Sequence, residues 1–130
     1  MAVANDPAFL TRSSPKCLYP FPIAQRFASS EAVFSGRVLE IKRDQEVEEI
    51  RFSVFKSWKN LHSAEVLLFN DVDAEAAPTY RVGESYLVFA NGSHEKLTTG
   101  ACSHVEVFRY AGKEIKELRR LTARHRENRK

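Results

Sequence analysis

The sequence predicts a mainly β fold: a closed five-stranded β-barrel with a C-terminal α-helix and an irregular N-terminal arm. Three observations lead to this prediction. Apolar residues recur with the two-residue period of strands between residues 32 and 103. Nine phenylalanines, most of them in or beside those runs, supply flat rings that pack well across a barrel interior. After residue 112 the apolar period becomes that of a helix.

The segment before the strands is predicted to have no regular structure over most of its length. Residues 1–22 are polar and interrupted by four prolines. A short helix is predicted over residues 23–30, with Ile23 and Phe27 on one face. The chain of 130 residues has the length of one domain. We therefore divide it into a flexible arm at 1–16, a domain at 17–122 and a basic tail at 123–130.

The first strand is predicted to carry an irregularity in its middle. Between residues 32 and 42 the apolar positions change parity near Val38 and Leu39, which predicts a β-bulge. Gly36 lies where a barrel strand needs to bend. A short charged connection then leads into the second strand, which alternates cleanly and places Ile50 and Phe52 on one face.

The remaining strands follow from shorter runs. Residues 64–70 give the third strand, and residues 84–90, apolar on both faces, give the fourth, closed by a turn at Asn91 and Gly92. The fifth is predicted at 97–103, with an extension to Phe108 left open. The final helix begins after Gly112 and packs through a narrow stripe that includes Ile115 and Leu118, and the chain beyond Leu121 is predicted to fray.

The net charge of +3 is unevenly distributed. Residues 113–130 hold eight basic and three acidic residues, a net of +5, so the rest of the chain has a net charge of −2. The barrel itself is therefore not predicted to bind a polyanion such as nucleic acid. No apolar run is long enough to span a bilayer.

The only two cysteines, Cys17 and Cys102, bracket all the strand-like sequence, a placement that suits a single cross-link. Paired thiols indicate an oxidising compartment and buried free thiols a reducing one. The first 16 residues lack the apolar stretch of a secretion signal. As it stands, the sequence predicts a cytoplasmic protein. Export stays open, because Met1 can be an expression start placed where a secretion signal was removed.

Five strands closed by a helix, with the blocks AVFSGRVLEI, FSVFKSWKN, VGESYLVFANG, LTTGACS and KEIKELRRL in that order, resemble the netrin-like module. This is the fold of the N-terminal domain of the tissue inhibitors of metalloproteinases (TIMPs) and of similar single-domain bacterial proteins. The resemblance covers residues 17–121. It implies an OB-type barrel, export, and a disulfide between Cys17 and Cys102. The chain departs from the family where Leu18 and Tyr19 follow Cys17 in place of a Cys-x-Cys pattern, and no cysteine precedes Gly83.

The resemblance also implies a non-enzymatic module that binds a protein partner. In the inhibitors, the amine of a terminal cysteine binds the zinc of the target metalloproteinase, so inhibition here requires processing that exposes Cys17. The partner surface is predicted on residues 17–22, 57–63 and 72–82. Its contact residues are predicted to be Cys17, Leu18, Tyr19, Pro20, Trp58 and Tyr80.

The alternative function is a cytosolic OB-fold protein that binds single-stranded nucleic acid. Phe55 and Trp58 lie among lysines in the run FKSWK, and OB-folds stack bases on exposed aromatic rings beside positive charge. The basic tail would add to such a surface. No grouping of catalytic residues is recognisable, and the histidines His62, His94, His104 and His125 have no metal-ligand spacing. The sequence thus predicts no catalytic residue, no metal and no cofactor.

Overall fold

The computed structural model describes residues 22–128, with side chains described as far as residue 123. The described residues form two α-helices, six strands and a short 3₁₀ helix at Phe108–Tyr110. The elements are α1 (Ile23–Ser29), β1 (Ala32–Asp44), β2 (Val47–Lys59), β3 (Glu65–Asp71), β4 (Ser85–Ser93), β5 (Lys96–Thr99), β6 (Val105–Val107) and α2 (Gly112–Asn128).

Five of the strands close into a barrel in the order β1-β2-β3-β5-β4, and β4 pairs again with β1. The closing seam runs from Ala32 opposite Ala90 to Arg37 opposite Ser85. The pair β3–β5 is parallel and the other pairs are antiparallel. β6 is an additional strand on β4. The prediction of a mainly β, closed five-stranded barrel with a C-terminal helix is confirmed.

The barrel interior is filled by aromatic and branched apolar side chains. Phe52 lies at its centre and makes edge-to-face contacts with Phe34, Tyr80 and Tyr86 at ring separations of 5.2 to 6.4 Å, within the range that favours aromatic pairs. Ile50 and Phe52 are both fully buried, as the alternation of the second strand predicts.

A second apolar layer covers the outside of the β1–β4 seam. β4 alternates between the two layers: Tyr86 and Val88 face the barrel interior, whereas Leu87 and Phe89 face the outer layer. The helices supply the other half of this layer, and Leu118 of α2 is fully buried in it. The two apolar faces predicted for the fourth strand are therefore explained by burial on both sides.

β1 contains the bulge that the parity change predicts. The pairing passes from Val38 opposite Phe52 to Glu40 opposite Arg51, so Leu39 is the extra residue and is partly exposed. A further irregularity lies next to Gly36. A Cβ atom at Gly36 would come within 2.8 Å of the Ser53 carbonyl oxygen, so only glycine allows β2 to approach this closely.

The largest differences from the sequence prediction lie at three boundaries. Asn91 and Gly92 lie inside β4, and the turn is formed by residues 94 and 95, because a glycine with φ of +91° is accommodated within the strand. The predicted fifth strand ends at Thr99, and β6 resumes only at Val105. α2 continues to Asn128 instead of ending near Leu121. The predicted arm at 1–16 lies outside the described residues.

Candidate functional site

A cleft of about 500 Å³ lies between β2 and α2, and we call it the Phe55 cleft. Aromatic and aliphatic groups form much of its wall, two cationic residues also line it, and none of the described lining residues is acidic. The lining residues are Ser35, Phe55, Lys56, Trp58, Phe108, Ile115, Arg119 and Thr122.

Phe55 is the most accessible aromatic group of this cleft, with 52% of its surface exposed. Its ring meets Phe108 edge-to-face at 5.0 Å, which fixes its position at the surface. The ammonium group of Lys56 lies 5.0 Å from the centre of the Trp58 ring, within cation–π distance. The cleft thus offers a partner an exposed aromatic ring beside positive charge.

Trp58 belongs to the core more than to the surface. It is 9% exposed, packs in the outer apolar layer, and donates its Nε1 hydrogen to Ser35 Oγ at 3.0 Å. Only part of the ring reaches the Phe55 cleft. The structure therefore leaves Phe55, and not Trp58, as the ring available for stacking.

Tyr80, the other described residue of the predicted partner surface, is a barrel residue. It is 5% exposed, and its hydroxyl lies 3.1 Å from Thr99 Oγ1. Burial raises the pKa of Tyr80 above its usual value. Its side chain packs in the barrel core and is not positioned to meet a partner.

The partner surface was predicted on three segments, and the structure describes two of them. These two loops lie at opposite ends of β3. Residues 60–64 precede this strand and residues 72–84 follow it, so they do not form one continuous surface. Leu61 of the first loop is buried in the barrel core. The third predicted segment contains Cys17, Leu18, Tyr19 and Pro20, which lie outside the described residues.

Cys102 lies in the loop between β5 and β6 and has a left-handed φ of 58°. It is not a free cysteine. It shares a small cleft with Gln25 and Arg26, so its loop lies beside α1. The predicted bond to Cys17 involves a residue outside the described part of the chain and stays a prediction.

The structure brings together a possible set of metal ligands that the sequence analysis missed. One ligand atom each from His104, Glu106 and Glu114 lies within 4.8 Å of the others, and all three residues are partly buried. Burial and then the nearby Arg26 charge lower the pKa of His104. Burial and then the Glu114 charge raise the pKa of Glu106. His62 and His94 are exposed, and the His125 side chain lies outside the described ones.

The sequence indicates only part of the metal-ligand set and only part of the Phe55 cleft. His104 and Glu106 are two residues apart in an extended segment, a spacing that places both side chains on one face. Their partner Glu114 comes from a helix, and only the folded chain shows that the helix returns to this face. Likewise, Arg119 lines the Phe55 cleft because α2 packs beside Trp58 of β2. No local sequence pattern indicates this contact between helix and strand.

No protein-family model matches the sequence, and no curated protein matches it. Within residues 22–128, neither helix has both the length and the apolar character needed to cross a membrane.

Proposed function

We propose that the chain is a non-enzymatic, exported protein-binding module of the netrin-like type that holds its partner in the Phe55 cleft. The observation that carries this proposal is the composition of the cleft. Phe55 and Phe108 offer an aromatic surface, while Lys56 and Arg119 supply positive charge that no acidic residue of the described lining neutralises. The chemistry fits a segment with an apolar side chain next to a carboxylate.

The size of the cleft limits what it can accept. About 500 Å³ is the volume of a small-molecule pocket, so it holds one or two side chains and not a whole domain. Lys56 comes from β2 and Arg119 from α2, so a carboxylate placed between them would contact both walls. We infer that the partner presents an extended acidic segment with an aromatic or branched side chain.

Export and netrin-like character rest on the barrel topology together with the location of Cys102. Its loop lies beside α1, and only four residues separate Cys17 from Pro22, the residue before this helix. An extended chain covers roughly 3.3 to 3.6 Å per residue, so Cys17 can reach the neighbourhood of Cys102. This supports the disulfide that the resemblance implies, and with it an oxidising compartment.

Fluorescence of Trp58 tests the binding proposal, because it is the sole tryptophan and lines the cleft. The full chain is titrated with short peptides that carry a carboxylate beside Phe or Leu, and with the same peptides as amides. We expect a saturable change with the acids and at least tenfold weaker binding of the amides. Lys56→Glu and Arg119→Glu should lose binding to a similar extent.

Lys116→Glu is the matched control, since Lys116 is an exposed residue of the same helix that does not line the cleft. It makes the same change in net charge. Equal losses in all three variants would indicate a general charge effect and contradict a site at the cleft. The absence of any saturable response to the acidic peptides would also contradict the proposal.

A more specific form of the proposal is inhibition of metalloproteinases. An uncharged terminal amine is a good ligand for the open position of a catalytic zinc ion, whereas an internal amide nitrogen is not. We therefore expect inhibition by a chain trimmed to begin at Cys17 and none by the intact chain. If the trimmed chain inhibits no member of a metalloproteinase panel, this form of the proposal fails, while peptide binding at the cleft is unaffected.

The exposure of Phe55 beside Lys56 also favours a second candidate, a cytosolic protein that binds single-stranded nucleic acid. Stacking of a base on an exposed aromatic ring contributes about 1 to 3 kcal/mol. With Trp58 buried, Phe55 is the most exposed ring that the described cleft residues offer for stacking. Titration with oligothymidylate discriminates the candidates, because nucleic-acid binding must weaken steeply as salt rises. Absent or salt-independent quenching would exclude this second candidate.

A further inference from the structure

Three metal-ligating side chains converge where β6 meets α2, on a part of the molecule distinct from the Phe55 cleft. His104 directly precedes β6, Glu106 is the central residue of that strand, and Glu114 lies in the first turn of α2. One ligand atom from each lies within 4.8 Å of the others. None of the three is fully exposed.

The fold explains why these groups face one another. The two valines of β6 pack against the barrel interior, so His104 and Glu106 project from the opposite face of the strand. Glu106 pairs across β6–β4 with Leu87, which belongs to the outer apolar layer. α2 packs on this layer through Ile115, the residue after Glu114. Strand and helix therefore direct their ligands into the same space.

His104 is held firmly and has unused binding capacity. Its ring meets Phe89 edge-to-face at 4.9 Å, and its carbonyl oxygen accepts a hydrogen bond from the Phe89 backbone nitrogen at 3.1 Å. Its Nε2 atom is buried and has no hydrogen-bond partner in the described part of the chain. A buried polar nitrogen without a partner is costly, and a metal ion bound through Nε2 would satisfy it.

We propose that His104, Glu106 and Glu114 bind a first-row divalent metal ion of the zinc type, which fastens α2 to β6. Zinc takes imidazole nitrogen and carboxylate oxygen as ligands, and three protein ligands leave one position for water. In a tetrahedral site with bonds of about 2.1 Å, ligand atoms are about 3.4 Å apart. Metal binding therefore requires the ligand atoms, now within 4.8 Å of one another, to move closer together.

Arg26 of α1 is the cation that opposes this site. It lines the same small cleft as His104, and its positive charge acts on His104. A metal ion must therefore bind against the repulsion of the guanidinium group. Replacement of Arg26 by neutral glutamine is expected to tighten metal binding, the opposite of what the loss of a ligand would do.

The test uses the full chain after treatment with a chelator and removal of that chelator. Calorimetric titration with zinc chloride should show saturable binding with one ion per chain, and the melting temperature should rise by several degrees. Co²⁺ should give the visible absorption of a four-coordinate or five-coordinate site. Glu106→Gln and Glu114→Gln preserve shape and should each weaken binding by more than about tenfold, a loss that even outer-shell partners can cause.

His94→Gln and Glu95→Gln, in the exposed turn between β4 and β5, are the matched controls and should bind as tightly as the unmodified chain. Two results would overturn the proposal. One is the absence of saturable zinc binding by the chelator-treated chain. The other is equal affinity in the Glu106→Gln and Glu114→Gln variants, which would assign the binding to other surface groups.

Discussion

Asn70 is a fully buried polar residue with hydrogen bonds on both sides of its amide. Its Nδ2 donates to the Pro78 carbonyl oxygen at 3.0 Å, and its Oδ1 accepts from Thr99 Oγ1 at 2.7 Å. Because the single Thr99 hydroxyl proton is used in this bond, Tyr80 must donate to Thr99 across their 3.1 Å contact. The network joins the loop after β3 to the end of β5.

Replacement of Asn70 by alanine should destabilise the fold strongly. It leaves the Pro78 carbonyl without this donor and the Thr99 hydroxyl proton without its acceptor, and an unsatisfied buried donor or acceptor costs about 1 to 3 kcal/mol. We expect a loss of about 3 kcal/mol in the free energy of unfolding, measured by urea denaturation. Asn91→Ala, at an exposed position, is the control. A difference between the two variants of less than about 0.5 kcal/mol would show that the network contributes little.

Tyr80 should make the fold sensitive to high pH. Burial raises its pKa in the folded state, while the unfolded chain ionises near pH 10. Above that pH the unfolded state binds fewer protons than the folded state, so stability falls as pH rises. Melting temperatures between pH 8 and pH 11 should therefore drop less steeply in Tyr80→Phe. Tyr110→Phe, at a 70% exposed position, should keep the slope of the unmodified chain.

Trp58 and Tyr80 show where residue-level prediction stops. Both have a polar atom that favours a surface assignment, yet each finds a buried partner far away in sequence. Trp58 bonds to Ser35 across 23 residues and Tyr80 contacts Thr99 across 19. A local pattern cannot indicate these partners, because barrel closure alone brings them together. Exposure of Phe55, by contrast, agrees with its position opposite the buried face of its strand.

At the scale of elements, regular alternation made β2 and both faces of β4 predictable. The hairpin between β4 and β5 was not, because Asn91 and Gly92 are a favoured turn pair that here lies within the strand. Lys96 donates its backbone hydrogen to Ser93 Oγ at 3.1 Å, which stabilises the later turn. β6 was missed as a separate strand because it has only three residues.

Substitution of Gly92 tests whether the strand requires glycine at this position of the hairpin. Its φ is +91°, and a Cβ atom would lie 2.3 Å from the Lys96 carbonyl oxygen, which is backbone and cannot move away cheaply. Gly92→Ala should therefore cost more than about 2 kcal/mol. Gly112→Ala is the matched control, since a Cβ there meets nothing within 4 Å. Similar unfolding midpoints for the two variants would mean that the strand can relax around the added methyl group.

At the scale of the whole molecule, the outer apolar layer lies over the seam that closes the barrel. Val33 of β1 and Leu87 of β4 contribute to this layer, and Phe27 of α1 and Leu118 of α2 pack on it. Lys59 donates to the carbonyl oxygens at the end of α1 and holds that helix to β2. The two helices therefore stabilise the β1–β4 pairing, so the N-terminal segment and the closure of the barrel are energetically linked.

A bond between Cys17 and Cys102 would strengthen this link from the chain's N-terminal side. It would close a loop of about 86 residues, which stabilises the folded state by about 4 to 5 kcal/mol in the chain-entropy model. We expect the oxidised chain to melt well above the reduced chain and above the double variant Cys17→Ser, Cys102→Ser. Reductant should raise the mass of the native chain by two hydrogens and leave the double variant unchanged in mass and melting temperature. Detection of two free thiols in the oxidised native chain would contradict the predicted disulfide. The argument for export, which depends on this bond, would then fail as well.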